Sequence, residues 1–200
     1  LINQDLSIKT IIHYSPFTIF RPEKMNYCSH CGSARLVLKV PARDNLPRIV
    51  CEECHTIHYQ NPKIVTGCLP QWEGKILLCQ RAIEPRYGLW TLPAGFMENH
   101  ESVEQAAIRE TWEEAQANVK QLNLYTVFSL PHINQVYMMF RAQLCEFNFA
   151  AGEESLAVEL FAQHEIPWME LAFPVIERTL TYYFQDKVMG HFPLHLEDIN

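Results

Sequence analysis

Two sets of residues in this chain are spaced for chemistry. The first is a pair of knuckles, Cys28-Ser29-His30-Cys31 and Cys51-Glu52-Glu53-Cys54, separated by nineteen residues. Four thiolates at that spacing converge on a tetrahedral ion. With every position taken by sulfur there is no opening for a substrate water, so the expected site is structural zinc. A segment this short lacks material for its own core and takes its folding energy from the metal. The second set is Glu110, Glu113 and Glu114, within Arg109-Glu110-Thr111-Trp112-Glu113-Glu114. On a helix the three carboxylates fall within about 100° of arc. Like charges at these spacings repel, and the C-terminal half of a helix disfavours anions. A hard divalent cation with carboxylate ligands supplies the missing compensation.

The helix that must carry these acids begins at Ser102, where Ser102-x-x-Gln105 reads as a capping box, and runs to about Ala117. Val103, Ala106 and Ala107 share the carboxylate side, while Ile108, Trp112 and Ala115 are apolar opposite, which predicts a helix packed between layers. Ile64–Leu69 and Lys75–Gln80 read as strands of a hairpin turning at Gln71-Trp72-Glu73-Gly74. Gly88–Gly95 is a strand and loop punctuated by Pro93 and two glycines. Tyr125–Leu130 and Gln135–Leu144 form two more strands joined at Pro131-His132-Ile133-Asn134. Leu156–Phe161 is a further strand and Val175–Asp186 a second helix. Strands before and after a central helix, with a late second helix, predict an α/β fold with a mixed sheet and helices on both faces.

At 200 residues and 48% hydrophobic content the chain can bury one core plus a small appendage. Its net charge of −7 repels a phosphate backbone, so nucleic acid is not expected as a partner, although bound metal can still recruit a small anion. No stretch approaches the length of a membrane span, and an odd cysteine count suits a reducing, cytoplasmic setting. Cys68, Cys79 and Cys145 sit in apolar runs and are expected as buried, inert thiols. The expected organisation is an extension over 1–24, a zinc ribbon over 25–60, a catalytic domain over 61–187 and a tail over 188–200.

Gly95, Glu101, Arg109, Glu110, Glu113 and Glu114 stand at the spacing of the Nudix box, and the chain resembles a Nudix hydrolase from about residue 62 to 187. The resemblance implies a Nudix α/β/α sandwich that uses magnesium or manganese. It implies Glu110 and Glu114 as principal ligands, with Glu113 and the Gly95 carbonyl joining them. Glu101 would pair with Arg109 to hold the loop against the helix. A later acid usually completes the site, and Glu154 is the candidate, with Glu153 second. One position departs from the family pattern: its helix-ending glycine is Gln116 here, which puts the local turn in question.

An N-terminal zinc ribbon joined to a Nudix domain is found in two known groups. The Ser-Gln-Pro-Trp-Pro-Phe-Pro array of NADH pyrophosphatases is missing; Ser129–Tyr137 occupies its place. The runs Tyr59–Lys63, Gly88–Gly95 and Glu154–Leu156 resemble plant-type FAD/ADP-ribose pyrophosphatases, and Pro131 is similar to a proline found in many ADP-ribose hydrolases. The implied reaction is cleavage of a dinucleotide or nucleotide-sugar pyrophosphate with release of AMP, FAD standing slightly ahead of ADP-ribose. Trp90 and Tyr137 are candidate stacking faces and Arg81 a candidate phosphate contact. A homodimer is the expected assembly. A NADH pyrophosphatase and a non-catalytic nucleotide-sensing regulator remain as alternatives, the latter opposed by the intact box acids.

Overall fold

The cysteine knuckles are held by a three-stranded antiparallel sheet, β1 (Leu36–Lys39), β2 (Arg48–Cys51) and β3 (Ile57–His58), in the order β1-β2-β3. The structure, a computed structural model, describes residues 25–200; the extension expected over 1–24 lies outside them. The chain divides into two compact units, Leu1–Gln60 and Asn61–Asn200.

The second unit contains β4 (Lys63–Trp72), β5 (Lys75–Arg81), β6 (Trp90–Thr91), β7 (Ala94–Phe96), α1 (Val103–Ala115), β8 (Val119–Leu130), β9 (Gln135–Leu144), β10 (Ser155–Phe161), α2 (Pro174–Met189) and β11 (His195–Asp198). Its sheet runs β10-β5-β4-β9-β8-β11, with β6 on β5 and β7 on β4. The β4–β9 and β8–β11 pairs are parallel and the others antiparallel, so the sheet is mixed, as expected. The run Ile76-Leu77-Leu78-Cys79 shows why two helical layers are needed. Ile76 and Leu78 belong to the core beneath α2, with Leu180 and Phe184, while Leu77 and Cys79 join Ala115 of α1 in a second cluster on the other face. A strand apolar at every position must be covered on both sides. The hairpin turns at Glu73 and Gly74, both at positive φ, as a two-residue loop requires.

Four expectations are corrected. Ile108 and Trp112 are exposed, so α1 packs by one side only, through Ala106, Ala107, Thr111 and Ala115, and is not enclosed between layers. Strand β8 starts at Val119, not Tyr125: two bulges, with Gln121 at positive φ, break the alternation by which a strand is recognised. Residues 188–200, read as a tail, contain β11. Its His195 ring lies between Tyr182, stacked at 4.0 Å, and the Asp186 carboxylate at 2.8 Å, and Asp186 also accepts the Tyr125 hydroxyl at 2.6 Å. Cys68 and Cys79 are buried as expected, but Cys145 is exposed. No helix of the described residues is long and apolar enough to cross a membrane.

Candidate active site and metal centre

Helix α1 starts as its sequence dictates. The Ser102 hydroxyl accepts the Gln105 amide at 3.2 Å, and the Gln105 side chain accepts the Ser102 amide at 2.8 Å. Its end keeps the turn that a glycine stop would give, with Gln116 in the glycine's place. Gln116 takes the left-handed conformation, φ 47°, and donates its amide to the Trp112 carbonyl at 2.8 Å. The carbonyls of Glu114 and Ala115 then accept the amides of Gly152 and Ala150, at 3.0 and 2.9 Å. The loop before β10 thus caps a helix that has no basic residue in its last turn.

Arg109 organises the acids. Its guanidinium donates to Glu101 twice, at 2.7 and 3.0 Å, to Glu110 at 2.8 Å, to Glu113 at 2.9 Å and to the Phe96 carbonyl at 3.1 Å. The loop ahead of α1 is therefore tied to the helix by one side chain. These bonds hold the Glu101 carboxyl down at about 2. Glu110 approaches β7 so closely that its carboxylate occupies the space a Cβ on Gly95 would take. Burial raises the Glu110 carboxyl above its ordinary value, against the opposing effect of Arg109.

Glu114 is the most confined of the group, 6% exposed, accepting the Ala94 amide at 3.1 Å. Burial pushes its carboxyl up to about 8; the Glu110 and Glu154 charges add to the effect, while the Ala94 amide and Arg81 oppose it. A carboxylate in this position calls for a cation, and the donor set of carboxylate and carbonyl oxygens suits a hard divalent ion. Glu113 and Glu154 are exposed at the rim, Glu154 within Coulombic reach of both Glu110 and Glu114.

The residues expected to meet substrate separate. Arg81, at the end of β5, donates to the Pro85 carbonyl at 3.0 Å and lies 5.2 Å above the Phe173 ring, near enough to act electrostatically on Glu114 and Tyr137. Tyr137 is half-buried on β9. Trp90 is not a stacking face: it is 8% exposed, in the main core, edge-on to Phe161 at 4.9 Å. Phe96 was missed. It is paired in register with Val65, which is paired with Tyr137, so the three side chains share one face of the sheet. Its ring is 51% exposed beside the Gly95 turn. Its position directly after Gly95 was the available signal.

In the first unit, the Sγ atoms of Cys28, Cys31, Cys51 and Cys54 all lie within 4.8 Å of one another, with Cys28–Cys54 and Cys31–Cys51 each at 3.6 Å. Zinc–sulfur bonds of about 2.3 Å at tetrahedral angles place sulfurs about 3.8 Å apart, so the thiols fit the ion. The two knuckles are copies of one turn: Gly32 and His55 follow the second cysteine of each, both at positive φ, donating to the Cys28 and Cys51 carbonyls at 2.9 and 3.0 Å. Hydrogen bonds from Thr56 lower the Cys54 thiol, while Cys31, despite a backbone hydrogen bond from Ser33, is raised by its bond to Cys54.

Comparison with known proteins gives this geometry its family. The profile of the NUDIX domain matches residues 62–183, and that of the Nudix N-terminal zinc ribbon matches 26–60. The chain is a Nudix hydrolase. It is 54% identical to a NUDIX hydrolase of known crystal structure from Nitrosomonas europaea, with a TM-score of 0.84 over 88% of this chain and 99% of that one. It is 31% identical over 121 residues to an ADP-ribose pyrophosphatase of Methanocaldococcus jannaschii, a match covering 58% of this chain and 69% of the relative. A NAD-capped RNA hydrolase NudC of Photobacterium profundum is 31% identical over 142 residues, or 69% of this chain, which spans 50% of that relative's length. This Nudix hydrolase thus has, in one sheet and one helix, both the box acids and the arginine that orients them.

Proposed function

We propose that this protein hydrolyses the pyrophosphate of an ADP derivative and releases AMP, with ADP-ribose the substrate to test first and FAD second. The observation that carries the reading is the buried Glu114 carboxylate, bonded to the Ala94 amide and grouped with the Glu110 carboxylate beside Gly95. In this reading Glu110, Glu114 and the Gly95 carbonyl are the inner metal ligands and Glu113 a further one. A divalent ion held by these oxygens would supply charge neutralisation for the pyrophosphate and acidify a water. Arg109 fixes the Glu110 and Glu113 carboxylates. Glu154, at the rim, accepts the proton of the water as its oxygen bonds to phosphorus and the bridging P–O bond breaks. Arg81 meets the remaining phosphate charge, and Phe96 and Tyr137 offer faces to the base or the second group. The cysteine cluster holds one structural zinc.

The order of substrates departs from the sequence reading, which set FAD slightly ahead, because the relative from M. jannaschii is named for ADP-ribose. A second reading, cleavage of NADH or of an NAD end, is favoured by the NudC relatives. All of these substrates share the ADP half. A panel of ADP-ribose, FAD, NADH, NAD-capped RNA and nucleoside triphosphates, with chromatography of the products, tests the reading. ADP-ribose would yield AMP and ribose 5-phosphate, and FAD would yield AMP and FMN. A kcat/KM for NADH, NAD-capped RNA or a triphosphate tenfold above both, a ~1.4 kcal/mol preference in the transition state, would overturn the substrate assignment.

A further inference from the structure

The segment between β9 and β10 carries Glu154, yet what fixes its path is a backbone contact two residues earlier. Gly152 lies directly against the last turn of α1. Its amide donates to the Glu114 carbonyl at 3.0 Å, and a Cβ added to it would overlap the Glu113 carbonyl oxygen. From there the chain makes one tight turn: the Ser155 amide donates to the Gly152 carbonyl at 3.1 Å, leaving Glu153 and Glu154 as its two central residues. The far side of the turn is pinned as well, because the Glu154 carbonyl accepts the Ala82 amide at 2.8 Å and Ser155 pairs with Arg81 across a β-bulge. Glu154 is thus held by backbone on both sides, at the end of the helix that presents Glu110, Glu113 and Glu114.

We propose that Gly152 is a positioning residue for catalysis: by allowing backbone-to-backbone contact with the Glu113–Glu114 carbonyls, it seats the Glu153–Glu154 turn at the acidic site. No larger residue permits that approach without moving the turn or the helix end. The same contact satisfies a carbonyl of the helix end that Gln116 closes, so one loop both braces the end of α1 and delivers the rim acid. The inference rests on the reading of Glu154 as the proton acceptor, and its test separates the two.

Glu154→Gln, Gly152→Ala and the double variant are compared in the full-length, zinc-loaded protein with magnesium and ADP-ribose. Gly152→Ala is expected to lower kcat about tenfold or more with KM little changed, the same kcat-against-KM split that Glu154→Gln gives. The double variant should be no worse than the poorer single one. Without magnesium, hydrogen exchange should show the bonded amides of Ala150, Gly152 and Ser155 protected in the wild type and released in Gly152→Ala. If Glu154→Gln is impaired while Gly152→Ala keeps wild-type kcat, or keeps the Ala150, Gly152 and Ser155 amides protected, the positioning role is wrong and the Glu154 reading stands. If Glu154→Gln turns over normally, the proton-acceptor reading fails and the inference with it. Should Gly152→Ala not fold, one glycine inserted between Gly152 and Glu153 keeps the contact but shifts Glu154 along the chain. That variant should match Glu154→Gln, and wild-type kcat in it would overturn the proposal.

Discussion

Replacing Glu114 with glutamine should make the metal-free protein more stable and the enzyme inactive. In the folded chain the Glu114 carboxyl is held at about 8 against an ordinary 4.5, chiefly by burial. At ~1.4 kcal/mol per pKa unit, ionising it in place costs about 5 kcal/mol relative to the unfolded chain. Because folding raises this pKa, the folded state retains a proton that the unfolded state gives up. The group's contribution is therefore fully present below pH 4.5 and is lost as pH rises through 8. Glutamine has the shape of the protonated form and does not titrate. Thermal unfolding without added magnesium should give nearly equal midpoints for wild type and Glu114→Gln at pH 5. At pH 9 the variant should lie about 10 °C or more higher, at ~2–4 °C per kcal/mol for a unit of this size. Saturating magnesium should reverse that order at pH 8, since only the wild type offers the carboxylate ligand. A gap between the two midpoints that does not change with pH would refute the burial argument. Wild-type turnover of the variant at saturating magnesium would refute the assignment of α1 as the metal site.

The purified protein should contain about one zinc per chain by elemental analysis; Cys51→Ser should lose it and unfold the first unit while the transition of the second persists. Arg109→Lys keeps the charge but cannot reach Glu101, Glu110, Glu113 and the Phe96 carbonyl together, so kcat should fall at least tenfold at saturating magnesium. Near-normal kcat in that variant would show the four contacts to be incidental. Gln116→Gly relieves a left-handed backbone at a residue with a Cβ and should stabilise the protein by about 0.5–1 kcal/mol, read as a higher urea midpoint with unchanged slope and unchanged activity.

What the sequence revealed was the chemistry whose signal is local. The Ser102–Gln105 box, the Glu73-Gly74 turn and the cysteine knuckles each lie within a few residues, and each is found in the structure. What it concealed depends on partners far along the chain. Trp90 stands as a stacking candidate in the sequence because nothing near it marks Phe161 as its neighbour. Ile108 and Trp112 read as packed because apolar spacing says which side of a helix is greasy, not whether anything covers it. Strand β11 is four residues long, and its hold comes from Asp186, Tyr182 and Tyr125, which no periodicity links to His195. The closure of α1 without a glycine was invisible for the same reason: its carbonyl partners come from Ala150 and Gly152.

The parallel pairing of β4 with β9 bears on how the protein comes to be folded. That pair is central to the sheet, and its register joins Lys63 to Gln135 and Gln71 to Gln143, segments 72 residues apart in the chain. A ribosome releasing β4 must add all of β5, α1 and β8 before the strand finds β9, and closing a loop of that length precedes any gain from those contacts. Until then Leu69 and Cys68, on its opposite faces, have no sheet partner on the β9 side to shelter them. The cysteine unit, emerging earlier and made of neighbours in sequence, can close on its metal while the larger sheet is still waiting. Refolding should therefore show two well-separated phases, a zinc-dependent one and a slower one on the millisecond-to-second scale, and exposure of apolar strands to aggregation falls in the interval between them.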